Sequence, residues 1–495
     1  MARRRGHPMI VLGCLAVTVS MALLVGWKWA ASKAEVHPGV AHVVRAGDTD
    51  ALALSTPVLS VRRAPGVLSR RVNVSSLRQA LQPLIDGLND TSCIAVSVDG
   101  QLMAAGNSTV PVIPASNMKI VTAAVANEVL GADTVFTTRV MGNIGDEATV
   151  GQPGVVIGDL FLVGGGDPVL GTDWWPASLQ QEHPPFGSTR LEELADEVVA
   201  KGVTRVAGSV VGDGSRYDDE WYPPSWDPAL QRVEAGPIDG LVVNDGHDNP
   251  SDPAQVTDDP AIGAAALFTT MLQERGVRVD ALPRSGATTS QIELASVTSR
   301  PVSEIIAEML QTSDDNTAEM LLKEIGLQVR GLGTREAGLA IEQSTLEVWG
   351  VPLGGLVLAD GSGLSNEDRL TCDALLAILQ HGSVDDPIGD GLPIAGKTGT
   401  LADAFVGSPL VGRLHAKTGT LNNADNTTAT ADPPAVKALS GYVDLPGGGA
   451  IEFALVLNGQ TITNPGEFEP VWYEQLAPAL ASYPRGASTA DLGPR

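Results

Sequence analysis

Several things are scarce in this sequence. Three of its 495 residues are cysteine, too few for a disulfide-stapled scaffold. Seven histidines (His7, His37, His42, His183, His247, His381 and His415) lie scattered, and no His-Glu-x-x-His occurs. Neither residue type clusters at metal-ligand spacing, so no metal is expected. Basic residues are few: Lys plus Arg is 32 against 58 for Asp plus Glu, a net charge of −26. Phosphates would be repelled, which argues against a nucleic-acid partner. No Gly-x-Ser-x-Gly is present, so the α/β-hydrolase elbow is excluded. The 55 Gly and 33 Pro follow no collagen period, and no tandem repeat appears. What remains is 43% apolar residues, enough to bury a large core, in a chain long enough for two or three domains.

Arg3, Arg4 and Arg5 precede an uncharged apolar run, Met9 to Trp27. As a helix that run spans about 28 Å, close to one hydrocarbon core. The basic flank predicts a cytoplasmic tail over 1–8 and export of everything after residue 27. The run reads as a membrane anchor; Ala30, Ala31 and Ser32 behind it keep a cleaved signal peptide open. Val11-Leu12-Gly13-Cys14 resembles a lipoprotein box only faintly. In an oxidising compartment Cys93 and Cys372 either pair or remain two separate buried thiols, since spacing alone gives no distance.

Residues 28–72 show no sustained period and read as a tether. Cys93–Val98 followed by Asp99-Gly100 predicts a strand and tight turn, and 116–130 predicts a helix behind Pro114. Residues 146–296 are strand-like stretches cut by Gly and Pro, with one helix near 190–202. Helical patterns follow at 302–330, 335–349 and 371–381. Runs at 439–445 and 451–457 flank a Pro-Gly-Gly-Gly turn and predict a hairpin; 467–483 predicts a closing helix. Strands and helices in blocks indicate an α+β architecture.

Three short stretches carry chemistry. Ser116-Asn117-Met118-Lys119 places a hydroxyl and an amine three residues apart, on one face if the segment is helical. A serine needs an adjacent base to become a nucleophile, and a lysine held neutral can serve. Alone, a capping serine beside a surface lysine gives the same pattern. Ser313-Asp314-Asp315-Asn316 interrupts a strongly apolar helical pattern, which a solvated loop between two helices also explains. Lys417-Thr418-Gly419-Thr420 precedes the hairpin, where a strand of small residues would let a substrate backbone pair alongside and a cation meet a carboxylate, although a simple basic turn gives the same local pattern. A second Lys397-Thr398-Gly399-Thr400 lacks the hairpin, so Lys417 is preferred. The same stretch completes a formal P-loop pattern, but Asp385–Asp390 is no buried strand, so no nucleotide site is expected.

Three weak motifs in this order make a strong one. The chain resembles the serine D-Ala-D-Ala carboxypeptidase/endopeptidases, the low-molecular-mass class C penicillin-binding proteins. Phe161–Pro168, Asp360–Ser365 and Leu414–Asn422 resemble further stretches of that family. The resemblance covers most of 75–483. It implies a transpeptidase-like α+β domain of the β-lactamase/penicillin-binding type, formed by 73–145 and 297–484, and split by a large β-rich insertion at 146–296. Residues 485–495 would be a tail. It also implies roles: Ser116 as nucleophile, Lys119 as its base, Ser313 as proton relay, and Lys417, Thr418, Gly419 and Thr420 along the substrate carboxylate. The N–H groups of Ser116 and Thr420 would form the oxyanion hole. Expected partners are peptidoglycan stem peptides and β-lactams; no cofactor is implied. The chain departs from the family at one point. Asp315 stands where Asn is usual, and Asn316 follows, so either can be read as the amide-binding position. Two competing readings are a non-catalytic wall-binding homologue and a β-lactamase or esterase of the same fold.

Overall fold

Leu77, Leu81 and Leu84 recur at helical spacing and are fully or almost fully buried, on a helix α1 that spans Ala64–Asp86. The computed structural model describes residues 64–484 apart from 146–152, 176–186, 250, 253, 423–433, 447 and 463. The run Met9–Trp27 and the first part of the expected tether lie outside the described residues. The tether expected over 28–72 ends sooner than that, because α1 starts at Ala64. Among the described residues no helix is long and apolar enough to cross a membrane.

Strands β1 (Cys93–Val98) and β2 (Gln101–Gly106) form a tight hairpin. Asp99 and Gly100 both have positive φ (49° and 74°), the geometry that matches the twist of paired strands. The buried helix α2 (Met118–Leu130) comes next. The chain then leaves for the insertion through β3 (Thr137–Met141), β4 (Leu160–Val163), α3 (Leu191–Ala200), β5 (Val210–Asp213), α4 (Pro260–Glu274), β6 (Arg284–Ser285) and β7 (Glu293–Thr298). It returns through helices α5 (Val302–Thr312), α6 (Asp315–Arg330), α7 (Arg335–Trp349) and α8 (Cys372–His381). Strands β8 (Leu414–Leu421), β9 (Ala435–Asp444) and β10 (Ala450–Gly459) follow.

The five strands β8-β9-β10-β1-β2 make one antiparallel sheet. Every residue of β1 and β10 is buried, because helices cover both faces. Cys93 and Ala95 face the core that holds α2, α5 and α8. Ile94, Val96 and Val98 face the core that holds α1 and Trp472, Leu476 and Leu480 of the C-terminal segment. Cys93 and Cys372 are joined in a disulfide, which ties β1 to the first turn of α8. The closing helix expected over 467–483 is present over 469–481, behind a 3-10 turn at Pro465–Phe468. It is wound as a π-helix over Val471–Leu476 and continues as an α-helix over Ala477–Ala481. Pro478 has no N–H to donate back along the helix, which accompanies the wider π winding just before it.

The insertion has its own core and a mixed sheet, β6-β5-β4-β3-β7. Its sheet takes in β3 and β7, so the folded unit reaches beyond 146–296 on both sides. It also holds a second helix, α4, that the strand-like pattern does not suggest. Asp259 caps it by accepting from the Ile262 N–H at 2.9 Å, and Pro260 opens its first turn. One arm of the insertion clasps α6. Arg216 and Tyr217 hydrogen-bond Glu324, Lys323 donates to Asp218 at 2.6 Å, and the Gly236 N–H donates to Asn316 at 2.9 Å.

Candidate active site

Pro114 and a short 3-10 turn, Ala115–Asn117, lead into α2. Ala115 takes φ +49°, a region that non-glycine residues rarely adopt, and Ser116 follows it at the mouth of the helix. A turn on, Lys119 is fully buried among the apolar side chains of α2. Its Nζ donates to Ser116 Oγ at 3.4 Å, to the Ser362 carbonyl at 2.8 Å, and to the carboxylate of Asp315 in a closer ion pair.

Asp315 reaches Lys119 because the helical pattern 302–330 is two helices. Ser313 ends α5 in the left-handed region (φ 66°, ψ 33°). Asp314 then caps α6, accepting from the N–H and hydroxyl of Thr317. Asp315 is therefore the first residue of α6 and turns inward. Burial pushes its carboxyl up to about 6, against the pull of Lys119. Asn316 points the other way and binds the insertion at Gly236. Of the two residues the sequence left open, Asp315 faces the lysine and Asn316 does not.

Lys417 lies on the edge strand β8 and is fully buried. It donates to Ser313 Oγ at 2.8 Å and to the Thr418 carbonyl at 3.0 Å. Burial, with the positive Lys119 nearby, holds its amine well below the usual lysine range, while Asp315 opposes that shift. Three stretches far apart in the chain thus meet at one place. Lys397 of the second Lys-Thr-Gly-Thr sits in a loop off the sheet.

Other residues complete the site that sequence reasoning gave no role. Asn117 Nδ2 donates to the Lys417 carbonyl at 3.2 Å, joining the nucleophile turn to β8. Thr400, from the second Lys-Thr-Gly-Thr, shares a hydrogen bond with Thr418 at 2.9 Å. The loop 360–365 offers the Ser362 carbonyl to Lys119. Asp360 shapes it, accepting from the N–H groups of Gly363 and Ser365 and from the Trp226 indole, each at 2.7 Å. Glu319 accepts from Gly361 and Ser362 at 2.9 and 2.8 Å. Gly363 (φ 86°) lies so close to Ala115 that a Cβ would meet its carbonyl at 2.0 Å. The family-like stretch Asp360–Ser365 was the signal for this loop, but its role appears only in the fold.

The profile of the D-Ala-D-Ala carboxypeptidase 3 (S13) family matches residues 73–257 and 247–469. The chain belongs to this family of serine D-Ala-D-Ala carboxypeptidases. A D-alanyl-D-alanine carboxypeptidase of an Actinomadura species is 30% identical over 87% of this chain and 87% of its own. A carboxypeptidase of Mycolicibacterium smegmatis is 30% identical over 76% of this chain and 77% of its own. Among solved structures, penicillin binding protein 4 of Haemophilus influenzae superposes with a TM-score of 0.62 at 20% identity, over 83% of this chain and 98% of its own. That likeness supports the α+β transpeptidase-type fold with its insertion. The chain is accordingly a serine D-Ala-D-Ala peptidase by family.

Proposed function

We propose that this peptidase works through Ser116, which attacks the penultimate D-Ala carbonyl of a peptidoglycan stem peptide. The oxygen–carbon bond forms as Lys119 takes the hydroxyl proton. The carbonyl electron pair moves to oxygen, toward the N–H groups of Ser116 and Thr420, and one such donor is worth about 3 kcal/mol. Ser313, bound to Lys417, passes a proton to the departing D-Ala amine. Lys417 and Thr418 hold the terminal carboxylate, with Gly419 giving the substrate room beside the strand. Water then cleaves the acyl-enzyme. One observation carries this reading: Ser116, Lys119, Asp315, Ser313 and Lys417 gather in one cleft, with Lys119 bound to Ser116 and Asp315 and Lys417 bound to Ser313. The same site would open D-Ala–diaminopimelate cross-links as an endopeptidase. Export past the membrane, with Met9–Trp27 as anchor or signal, would bring the site to its substrate.

Mass spectrometry after labelled penicillin tests the assignment, with the adduct expected on Ser116. Ser116→Ala should abolish D-Ala release and keep the wild-type unfolding curve; an adduct on another residue overturns these roles. The Asp315–Lys119 ion pair favours one second reading, stem-peptide binding without turnover. Release of D-Ala by the wild-type protein would dismiss it.

A further inference from the structure

Lys119 Nζ spends its three donor positions on Ser116, Ser362 and Asp315. In that form it is an ammonium and has no lone pair for the Ser116 proton. An amide in place of Asp315 would leave the amine to lose its proton elsewhere, whereas a carboxylate in contact with it can take that proton directly. The pair is also lopsided in exposure: the Lys119 side chain is 0% exposed and that of Asp315 11%. Asp315 therefore holds the little solvation the pair has, and a substrate entering the cleft would remove it. In a dry site a charged pair loses ground to a neutral one.

We propose that Asp315 is the proton acceptor that arms Lys119. As substrate excludes water, one proton moves from Lys119 Nζ to the Asp315 carboxylate, leaving a neutral amine and a neutral carboxyl. The neutral amine then turns about its Cε–Nζ bond so that its lone pair meets Ser116 and takes the Ser116 proton, and the freed O–H electron pair becomes the Ser116–carbonyl bond. The inference rests on the reading of Ser116 as nucleophile. The charged groups around the pair are Lys417 from β8, Asp314 from the cap of α6, Glu319 one turn further along α6 and Asp360 from the loop beside α2.

The test is the pH profile of acylation of the full chain by a fluorescent penicillin, with the labelled residue identified by mass spectrometry. In the wild type, the rate falls about tenfold per pH unit below a midpoint of about 6, as Asp315 takes up a proton before Lys119 can give one. Asp315→Asn supplies a donor but no acidity, so the limb at about 6 should leave its profile, and any acid limb that remains should lie more than about one unit away. Asp315→Glu keeps the carboxyl and should keep an acid limb within about one unit of the wild type, which serves if the Asn variant does not fold. An Asp315→Asn midpoint that coincides with the wild type, or an Asp315→Glu profile without an acid limb, overturns the inference while the Ser116 adduct stands. Absence of a Ser116 adduct in the wild type overturns the reading of the site itself.

Discussion

Glu342 lies on α7, fully buried, and neither carboxyl oxygen has a hydrogen-bond partner among the described residues. The nearby Thr122 hydroxyl gives its proton to the Gly361 carbonyl at 2.8 Å, so it cannot also stabilise a carboxylate. Burial, with Glu319 and Asp360 nearby, pushes the Glu342 carboxyl from 4.5 up to about 8. Between those values the folded chain holds a proton that the unfolded chain releases. Stability from this group is therefore fully present in acid and is lost as pH rises through about 8. The slope for one such group is at most about 1.4 kcal/mol per pH unit. From about pH 5.5 to about pH 7.5 that makes an upper limit of about 2.7 kcal/mol. Glu342→Gln keeps the shape and does not titrate. Urea unfolding at both pH values should show the wild type losing more stability than the variant, by about 2 kcal/mol. Part of the wild-type slope will persist in the variant, since Glu319 is raised to about 8 by burial and Asp360. Equal losses in the two proteins would refute the claim that Glu342 is buried as the neutral acid.

Two more predictions concern single contacts. Cys93→Ser with Cys372→Ser opens a loop closed over 279 positions and should cost about 3–5 kcal/mol, with the double variant indifferent to reductant; a wild type whose unfolding midpoint ignores reductant would contradict the disulfide. Thr400→Val removes the hydrogen bond that orients the Thr418 hydroxyl, worth about 1 kcal/mol, so KM for a D-Ala-D-Ala peptide should rise about fivefold with kcat little changed; an unchanged KM would separate Thr400 from the carboxylate end of the site.

The motifs were legible because their chemistry is local. Ser116 and Lys119 share a helical turn, and Lys417 lies in a strand whose hairpin shows in its neighbours. The helix α7 and the β1–β2 turn were readable for the same reason, since caps, periodicity and turn residues act over a few positions. The helix α4 was hidden among Gly- and Pro-rich neighbours, although Asp259 and Pro260 mark its start.

The choice between Asp315 and Asn316 belonged to the fold. Both sit in the same first turn of α6, and only the left-handed bend at Ser313 and the arm of the insertion at Gly236 decide which one turns inward. The pairing of Cys93 with Cys372 and the contact of Thr400 with Thr418 were decided in the same way. Residue type and spacing along the chain determine which side chains can do chemistry and which local element carries them. Which of them meet, and how dry the place is where they meet, depends on packing between segments hundreds of positions apart, and that burial is what sets the protons on Asp315 and Lys417.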